Sequence, residues 1–201
     1  MAEPQDCFDK PIWTLAGLAR ALPGMPAHLL RVAPSVVGRV VSHRLRERIM
    51  LAVAAQNRCP YCKRAHAAIG RSVGLDAGEV DRLLQGVEEG ADPQVHLALA
   101  FVRDLARRDF QSRDEELAAQ VGEAFGAEVA AAIESTAHVM NLMNRFGNTF
   151  DAARTRAAGR CEASGASWVD LLAVSAVFVT VAPLVAVPIG ALELFVSAWG
   201  G

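Results

Sequence analysis

The chain has 201 residues, of which 52% are hydrophobic and 6% aromatic, and its formal net charge at pH 7 is −2. This length suits one domain with an appendage, and the apolar fraction is sufficient for a sizeable core. With 20 basic against 22 acidic residues and no basic run, we expect no nucleic-acid partner. The few aromatic residues and the abundance of Ala, Val and Leu favour packed helices over sheets.

Cysteine usage and the first residues predict a cytoplasmic location. Four cysteines are too few and too unevenly spaced for a secreted disulfide scaffold. The opening residues, MAEPQD, have neither a basic nor an apolar signal region, so no secretory signal is indicated. In a reducing cytoplasm a Cys-x-x-Cys pair is more often catalytic or metal-binding than structural. Cys7 and Cys161 lie in loose segments, and we interpret them as bystanders.

Hydrophobic periodicity and capping residues predict an all-α chain without strands. Residues 1–10 are polar, a weak helical pattern runs over 12–22, and a Pro-Gly-Met-Pro segment at 23–26 interrupts it. Asp76 and Ser112 are predicted N-caps of capping boxes, and Asp92 is predicted to cap a helix with Pro93 at its first position. Further helices are predicted over residues 27–32, 42–56, 59–73, 76–84, 92–108, 112–126 and from 127 into the 150s.

The most informative motif is CPYCKRAH at residues 59–66. If Pro60 opens a helix, Cys59 lies in its first turn, and Cys62 and His66 follow on one face. The partial positive charge of the helix N-terminus and the nearby imidazole both favour thiolate over thiol. Sulfurs three residues apart on a helical turn lie within disulfide reach. The motif therefore predicts a redox dithiol.

Glu47 is the candidate carboxylate for this site, twelve residues before Cys59. On one continuous helix the two residues would be roughly 18 Å apart, too far to interact. If the chain reverses at residues 57–58, the two helices pack antiparallel and Glu47 lies about level with His66. An imidazole can take a thiol proton, and a carboxylate behind it can orient and charge that imidazole. Spacing alone supports equally well a solvated Glu47 that pairs with the arginines of its own turn.

A metal site is the main alternative for the same residues. Cys59, Cys62 and His66 would then be three zinc ligands. The candidates for the fourth are His43, His96 and His138. Structural zinc prefers ligands brought together from knuckles and loops, whereas these three lie along one predicted helix with no second pair. We therefore favour the dithiol and expect no metal or cofactor.

Four further polar residues have a structural interpretation. Tyr61 is interpreted as an exposed residue at a helix start rather than a hydrogen-bond donor to the site. His138, Asn141 and Asn144 recur on the long predicted helix after residue 127. We interpret them as satisfied core or interface groups in preference to polar groups of a pocket.

The C-terminal residues differ from the rest of the chain. The run from Leu171 to Leu192 contains no charged residue and is long enough to cross a bilayer. Trp168 and Trp199 flank this run, as interfacial aromatic residues often do. Prolines and a glycine inside the run, and the lack of Lys or Arg near either end, stand against a span. Two interpretations stay open: association of residues 168–199 with the cytoplasmic membrane, or kinked apolar helices buried in an oligomer.

Residues 45–66, which read LRERIMLAVAAQNRCPYCKRAH, closely resemble the core of the AhpD-like, carboxymuconolactone decarboxylase superfamily. The turn GLD at 74–76 and the segment NLMNR at 141–145 are also similar to that family, so that the resemblance covers about residues 25–155. One difference is Pro60-Tyr61, where AhpD proper has a histidine between its cysteines. The combined spacing of Glu, Cys-x-x-Cys and His is the specific part of the resemblance.

The resemblance implies an AhpD-like helical bundle, with the Cys-x-x-Cys and His motif on a helix hairpin, that forms homo-oligomers, commonly trimers or hexamers. It also implies a thiol peroxidase or disulfide reductase. Cys62 matches the peroxidatic cysteine, Cys59 its resolving partner and proton donor, and His66 and Glu47 a proton relay. The decarboxylase branch generally lacks the two cysteines. Helix-dipole reasoning alone would instead make Cys59 the thiol of lower pKa.

Together these observations predict an N-terminal segment at 1–24, a helical core at 25–158 and an apolar extension at 159–201. The expected function is reduction of a hydroperoxide by the Cys59–Cys62 dithiol, with an external dithiol as reductant. Two alternatives remain: a membrane-associated redox sensor or adaptor without turnover, and a cysteine-independent decarboxylase or isomerase that uses His66 and Glu47.

Overall fold

The computed structural model describes residues 8–87, 92–160 and 165–180. Within these ranges the regular secondary structure is helical and contains no strand, which confirms the all-α prediction. A single 3-10 turn, Leu22–Gly24, follows the first helix. The helices are α1 (Leu15–Ala21), α2 (Met25–Val36), α3 (His43–Gln56), α4 (Pro60–Ser72), α5 (Ala77–Gln85), α6 (Pro93–Arg107), α7 (Glu115–Phe125) and α8 (Ala127–Ala157).

Capping residues determine where most of these helices begin. The Ser42 hydroxyl accepts the Leu45 N–H at the start of α3, and an Asp76 carboxylate oxygen accepts the Glu79 N–H at the start of α5. Asp92 caps α6, which has a proline in its first turn as predicted. The predicted capping role of Ser112 is wrong.

The N-cap of α7 is Asp114, two residues after the predicted position. Its carboxylate accepts the N–H groups of Glu116 and Leu117 at 3.1 and 3.0 Å. Helix α7 therefore begins at Glu115, and both acidic residues of its first turn lie where the helix dipole favours negative charge.

The residues divide into two compact units. One comprises residues 24–143, and the other comprises the described residues before 24 and after 143. In the first unit α3 is the central helix, since it packs against α4, α5 and α6. Its Ile49, Leu51 and Val53 are fully buried, together with Leu99 of α6 and Ile133 of α8. The candidate site is built on this buried helix.

The second unit is held by bonds between its two chain segments. The Trp13 N–H donates to the Thr149 hydroxyl at 2.9 Å, and the Leu15 N–H donates to the Asp170 carboxylate at 2.8 Å. Leu171 is fully buried beside Ala152. The backbone donors therefore tie the N-terminal segment to residues that lie more than a hundred positions later.

The predicted apolar C-terminal extension is described only in part. Residues 168–180 are helical, whereas residues 181–192 and Trp199 lie outside the described residues, as do Cys7 and Cys161. Among the helices of the described ranges, none has the length and apolar character that crossing a bilayer requires.

Candidate active site

The turn between α3 and α4 places the dithiol beside a buried helix. Asn57 ends α3, Arg58 adopts a left-handed conformation with φ 55°, and the Cys59 N–H donates to the Ala54 carbonyl at 3.2 Å. The chain thereby reverses, and α4 runs back along α3. The Asn57 side-chain amide donates through Nδ2 to the side-chain oxygen Oδ1 of Asn141 at 3.0 Å, which fixes the turn to α8.

Cys59 caps helix α4 with its sulfur. Its Sγ accepts the backbone N–H of Cys62 at 3.4 Å, and Pro60 lies in the first turn. Cys59 is fully buried, whereas Cys62 is partly exposed. The residue at the positive end of the helix is therefore enclosed by protein, and the cysteine one turn further on is partly exposed.

The neighbouring Cys59 changes the pKa of the Cys62 thiol. The pKa of the Cys62 thiol is raised far above its usual value, chiefly because the group hydrogen-bonds to Cys59. Burial and the negative charge of Cys59 raise this pKa further. The arrangement therefore favours the proton on Cys62, while the Cys59 sulfur lies at the positive end of α4.

Glu47 and His66 are in direct contact. The His66 Nδ1 lies 2.8 Å from Glu47 Oε2, and the Glu47 side chain is only 2% exposed. The antiparallel hairpin predicted from the turn at residues 57–58 brings them level. The interpretation of Glu47 as a solvated residue is wrong, because α3 directs its carboxylate into the protein.

Arg46 is the residue of this site that sequence reasoning missed. Its guanidinium donates through Nε and Nη2 to Glu47 Oε1, both at 3.2 Å, and through Nη1 to the carbonyls of Ser35 and Val36. Its side chain is 3% exposed. Glu47 thus has one oxygen on Arg46 and the other on His66, and this fixes the carboxylate behind the imidazole.

A signal for Arg46 exists in the sequence. It precedes Ile49 by three residues and Val53 by seven, which places it on the apolar stripe of α3 rather than on a wet face. An arginine at such a position requires a buried partner, because a desolvated charge is costly when it is alone. The adjacent Glu47 is that partner.

The other polar candidates take structural positions. His138 stacks on His28 with ring centroids 4.1 Å apart, and Tyr61 lies on the partly exposed side of α4 beneath the Arg64 guanidinium. Asn144 is fully buried, but within the described residues its amide has no hydrogen-bond partner, so the interpretation of Asn144 as a satisfied group is wrong. No three His, Cys, Asp or Glu side chains of the described ranges are arranged to hold a metal ion.

Comparison with known families covers the part of the chain that carries the site. Residues 23–104 match the model of the Carboxymuconolactone decarboxylase family. This segment is similar to that family. The resemblance to the AhpD-like superfamily is thereby confirmed over these residues, which include Glu47, Cys59, Cys62 and His66. No curated protein matches the sequence.

The chemistry available in this family segment is acid–base and thiol chemistry. The buried Cys59 sulfur can exchange a proton with Cys62, and the His66 imidazole, which Glu47 holds in place, can carry a proton between groups. Members of the family are often enzymes of the decarboxylase or peroxidase-like kind. The resemblance predicted for residues 105–155 lies beyond the matched segment and stays a prediction.

Proposed function

We propose that this protein is a thiol-dependent peroxidase that reduces hydroperoxides with its Cys59–Cys62 dithiol. The observation that carries the proposal is the position of the two sulfurs: Cys62 is partly exposed and contacts the buried Cys59, which caps α4. A peroxide can reach Cys62, and the second sulfur is already in contact with it.

The first step is a proton transfer followed by attack. Cys62 gives its proton to the Cys59 thiolate along their hydrogen bond, and the Cys62 thiolate then attacks the distal oxygen of the hydroperoxide. The O–O bond breaks, a Cys62 sulfenic acid forms, and the leaving alkoxide takes a proton from the imidazolium of His66 to become an alcohol.

The second step forms the disulfide. The Cys59 thiol gives its proton to the now neutral His66, and the Cys59 thiolate attacks the Cys62 sulfur. Hydroxide leaves and takes from His66 the proton that Cys59 gave up, so that water forms. One hydroperoxide has then been reduced to an alcohol and water, and two thiols have been oxidised to one disulfide. An external dithiol reduces that disulfide by thiol exchange, so that the cycle closes.

Glu47 acts behind the imidazole as a positioning residue. Its Oε2 holds the His66 Nδ1, so that the other ring nitrogen, Nε2, is left to exchange the proton. Arg46 holds the opposite oxygen of the same carboxylate, which fixes the orientation of Glu47. The exposed sulfur, the proton carrier and the fixed carboxylate thus belong to two adjacent helices.

The test is peroxide consumption with tert-butyl hydroperoxide as oxidant and dithiothreitol as reductant. We expect Cys62→Ser to abolish turnover, and mass spectrometry of the wild-type protein after one equivalent of peroxide to locate a Cys59–Cys62 disulfide. Cys161→Ser removes a thiol outside the motif and serves as the control that retains turnover. Full activity of Cys62→Ser would overturn the proposal.

A second variant tests the coupling of the thiols. Cys59→Ser removes the charged acceptor that raises the pKa of Cys62, so that this pKa falls towards its usual value. We expect faster alkylation of Cys62 by iodoacetamide at neutral pH than in the wild type, with the site located by peptide mass spectrometry. Slower alkylation would contradict the assigned direction of proton sharing.

A cysteine-independent reaction is a second candidate, favoured by the match to the decarboxylase family and by the Glu47–His66 contact. In that case His66 is the general base and the dithiol is dispensable. Activity on a small lactone or keto acid that survives in the double variant Cys59→Ser/Cys62→Ser, but not in His66→Gln, would support it.

A further inference from the structure

The charged residues of this chain are unevenly distributed along the sequence. Residues 10–75 contain eleven basic residues and a single acidic one, Glu47, although the whole chain has a net charge of −2. The other residues include nine basic and twenty-one acidic side chains. The candidate active site therefore lies in a strongly basic part of a chain that is weakly acidic as a whole.

Helix α4, which carries Cys62, has an excess of positive charge. It contains Lys63, Arg64 and Arg71 and no acidic residue. Arg64 and Arg71 are exposed, and Lys63 is partly exposed. Within the described residues no carboxylate lies within 4.0 Å of these three side chains, so that no ion pair neutralises them. We call these three residues the basic patch.

Two members of the basic patch lie beside the Cys-x-x-Cys motif. The Arg64 guanidinium lies over the ring of Tyr61, with Cζ 5.4 Å from the ring centroid. Tyr61 stands between the two cysteines in the sequence, and Lys63 directly follows Cys62. The cation–π contact holds the charge of Arg64 at the start of α4. The partly exposed cysteine therefore has two cations as close neighbours.

The acidic groups that follow α4 in the sequence are engaged elsewhere. Glu79 of α5 pairs with Arg48 at 2.5 Å, and the Asp76 carboxylate accepts the Glu79 N–H at 2.8 Å. The Arg44 guanidinium donates to the carbonyl of Gly74, which is a neutral group. The hairpin of α3 and α4 thus retains its positive charge.

A reductant of the Cys59–Cys62 disulfide has to contact α4. In thiol–disulfide exchange the attacking thiolate forms a bond to one of the two sulfurs. Cys59 is fully buried, so we expect the attack on Cys62. The thiolate of the reductant then lies beside Lys63 and Arg64. Negative groups around that thiolate are attracted by α4, whereas positive groups are repelled.

We propose that the basic patch docks the acidic surface of a protein dithiol that reduces the Cys59–Cys62 disulfide. The inference rests on the proposed function and adds the charge of the reductant. From Lys63 to Arg71 the patch spans roughly 12 Å of helix, because each residue adds about 1.5 Å. A small thiol does not cover this length, whereas the surface of a protein does.

The test compares the rates at which dithiol peptides reduce the oxidised full-length protein at low salt. The peptides share a Cys-Gly-Pro-Cys core that is flanked by glutamates, glutamines or lysines. Their rates with hydroxyethyl disulfide, which is neutral, correct for intrinsic thiol reactivity. We expect the glutamate peptide to react at least about tenfold faster than the lysine peptide, and this difference to shrink at about 0.5 M salt.

Two double variants locate the effect. Lys63→Gln/Arg64→Gln should lower the preference for the glutamate peptide at least about fourfold, since one unit charge at about 10 Å in water changes an ionic interaction by a factor of about two. The matched control, Arg108→Gln/Arg113→Gln, makes the same change in net charge outside the hairpin, at two side chains that are each 43% exposed. We expect this control to keep the preference of the wild type.

Alkylation separates this proposal from the peroxidase function, because it requires no disulfide. The anion iodoacetate should lose rate at Cys62, relative to neutral iodoacetamide, in Lys63→Gln/Arg64→Gln, whether or not the protein reduces peroxide. Equal rates for the peptides, or the same preference in this variant as in the wild type, would overturn the docking surface. Equal rates together with tight binding to phosphatidylglycerol vesicles would overturn it in favour of a lipid surface.

Discussion

Replacing Glu47 by Gln should lower the free energy of unfolding by about 3 kcal/mol, the lower end of the cost of breaking a buried ion pair. The Arg46 guanidinium would stay buried at 3% exposure after losing the negative charge on which two of its nitrogens lie at 3.2 Å. The low end applies because a Gln carbonyl can still accept one bond, and because Arg46 Nη1 keeps the carbonyls of Ser35 and Val36.

Urea denaturation followed by circular dichroism measures this change, provided that the slope of the transition is unaltered. The matched control is Glu79→Gln, whose carboxylate pairs with Arg48 at 2.5 Å but is 21% exposed, and we expect it to cost about 1 kcal/mol or less. A loss below about 0.5 kcal/mol in Glu47→Gln would refute the reasoning, since surface substitutions show that much.

An apolar double variant distinguishes the loss of a partner from the loss of the pair. Arg46→Met/Glu47→Leu removes both charges and retains most of the volume, so we expect it to be more stable than Glu47→Gln alone.

Two further predictions concern acid stability and helix capping. Burial and the neighbouring His28 lower the pKa of His138 to about 4. Between this pKa and the usual value of 6.5, His138 is protonated in the unfolded chain but neutral in the folded protein. The free energy of unfolding therefore falls as the pH is lowered from 6.5 towards 4. Because His138→Gln removes this group, its effect on the free energy of unfolding should be more favourable at pH 4.5 than at pH 7.5 by about 2.5 kcal/mol. Urea denaturation at the two pH values measures this difference, and equal effects would contradict the prediction. Asp114→Ala should lower the free energy of unfolding, measured by urea denaturation, by about 1 kcal/mol, because it removes the cap of α7. Ser112→Ala should leave the free energy of unfolding almost unchanged. A larger loss in Ser112→Ala than in Asp114→Ala would indicate that Ser112 is the cap of α7.

Most of the helices from α3 to α8 could be predicted from the sequence, because capping residues close to each helix start determine where the helix begins. The caps at Ser42, Asp76 and Asp92 act on N–H groups two or three residues away, so their effect is visible within a short window. Ser112 and Asp114 are both competent caps two residues apart. Choosing between them depends on the path of the preceding chain, which no local pattern contains.

The candidate site was predictable to the extent that it depends on one helix hairpin. Spacing placed Glu47 level with His66 once the chain reversed at Asn57, and the structure brings these side chains to 2.8 Å. Burial of Glu47 could not be decided in the same way, because three arginines surround it in sequence. Only the fold shows that Arg46 points inward, to carbonyls of α2 that lie ten and eleven residues earlier.

The stacked histidines belong to a different class of feature. His28 and His138 lie more than a hundred residues apart. Their contact leaves no periodic pattern in the sequence, since it depends on how helices pack rather than on how one helix begins.

The sulfur cap of α4 bears on the reduction potential of the dithiol. In the reduced protein the Cys59 sulfur accepts the Cys62 N–H at the positive end of the helix, whereas a sulfur in a disulfide accepts more weakly. If that cap contributes about 1 kcal/mol, it favours the reduced state and makes the pair more oxidising by about 20 mV. The cap of helix α4 thus contributes to the free energy that favours reduction of the disulfide back to the dithiol.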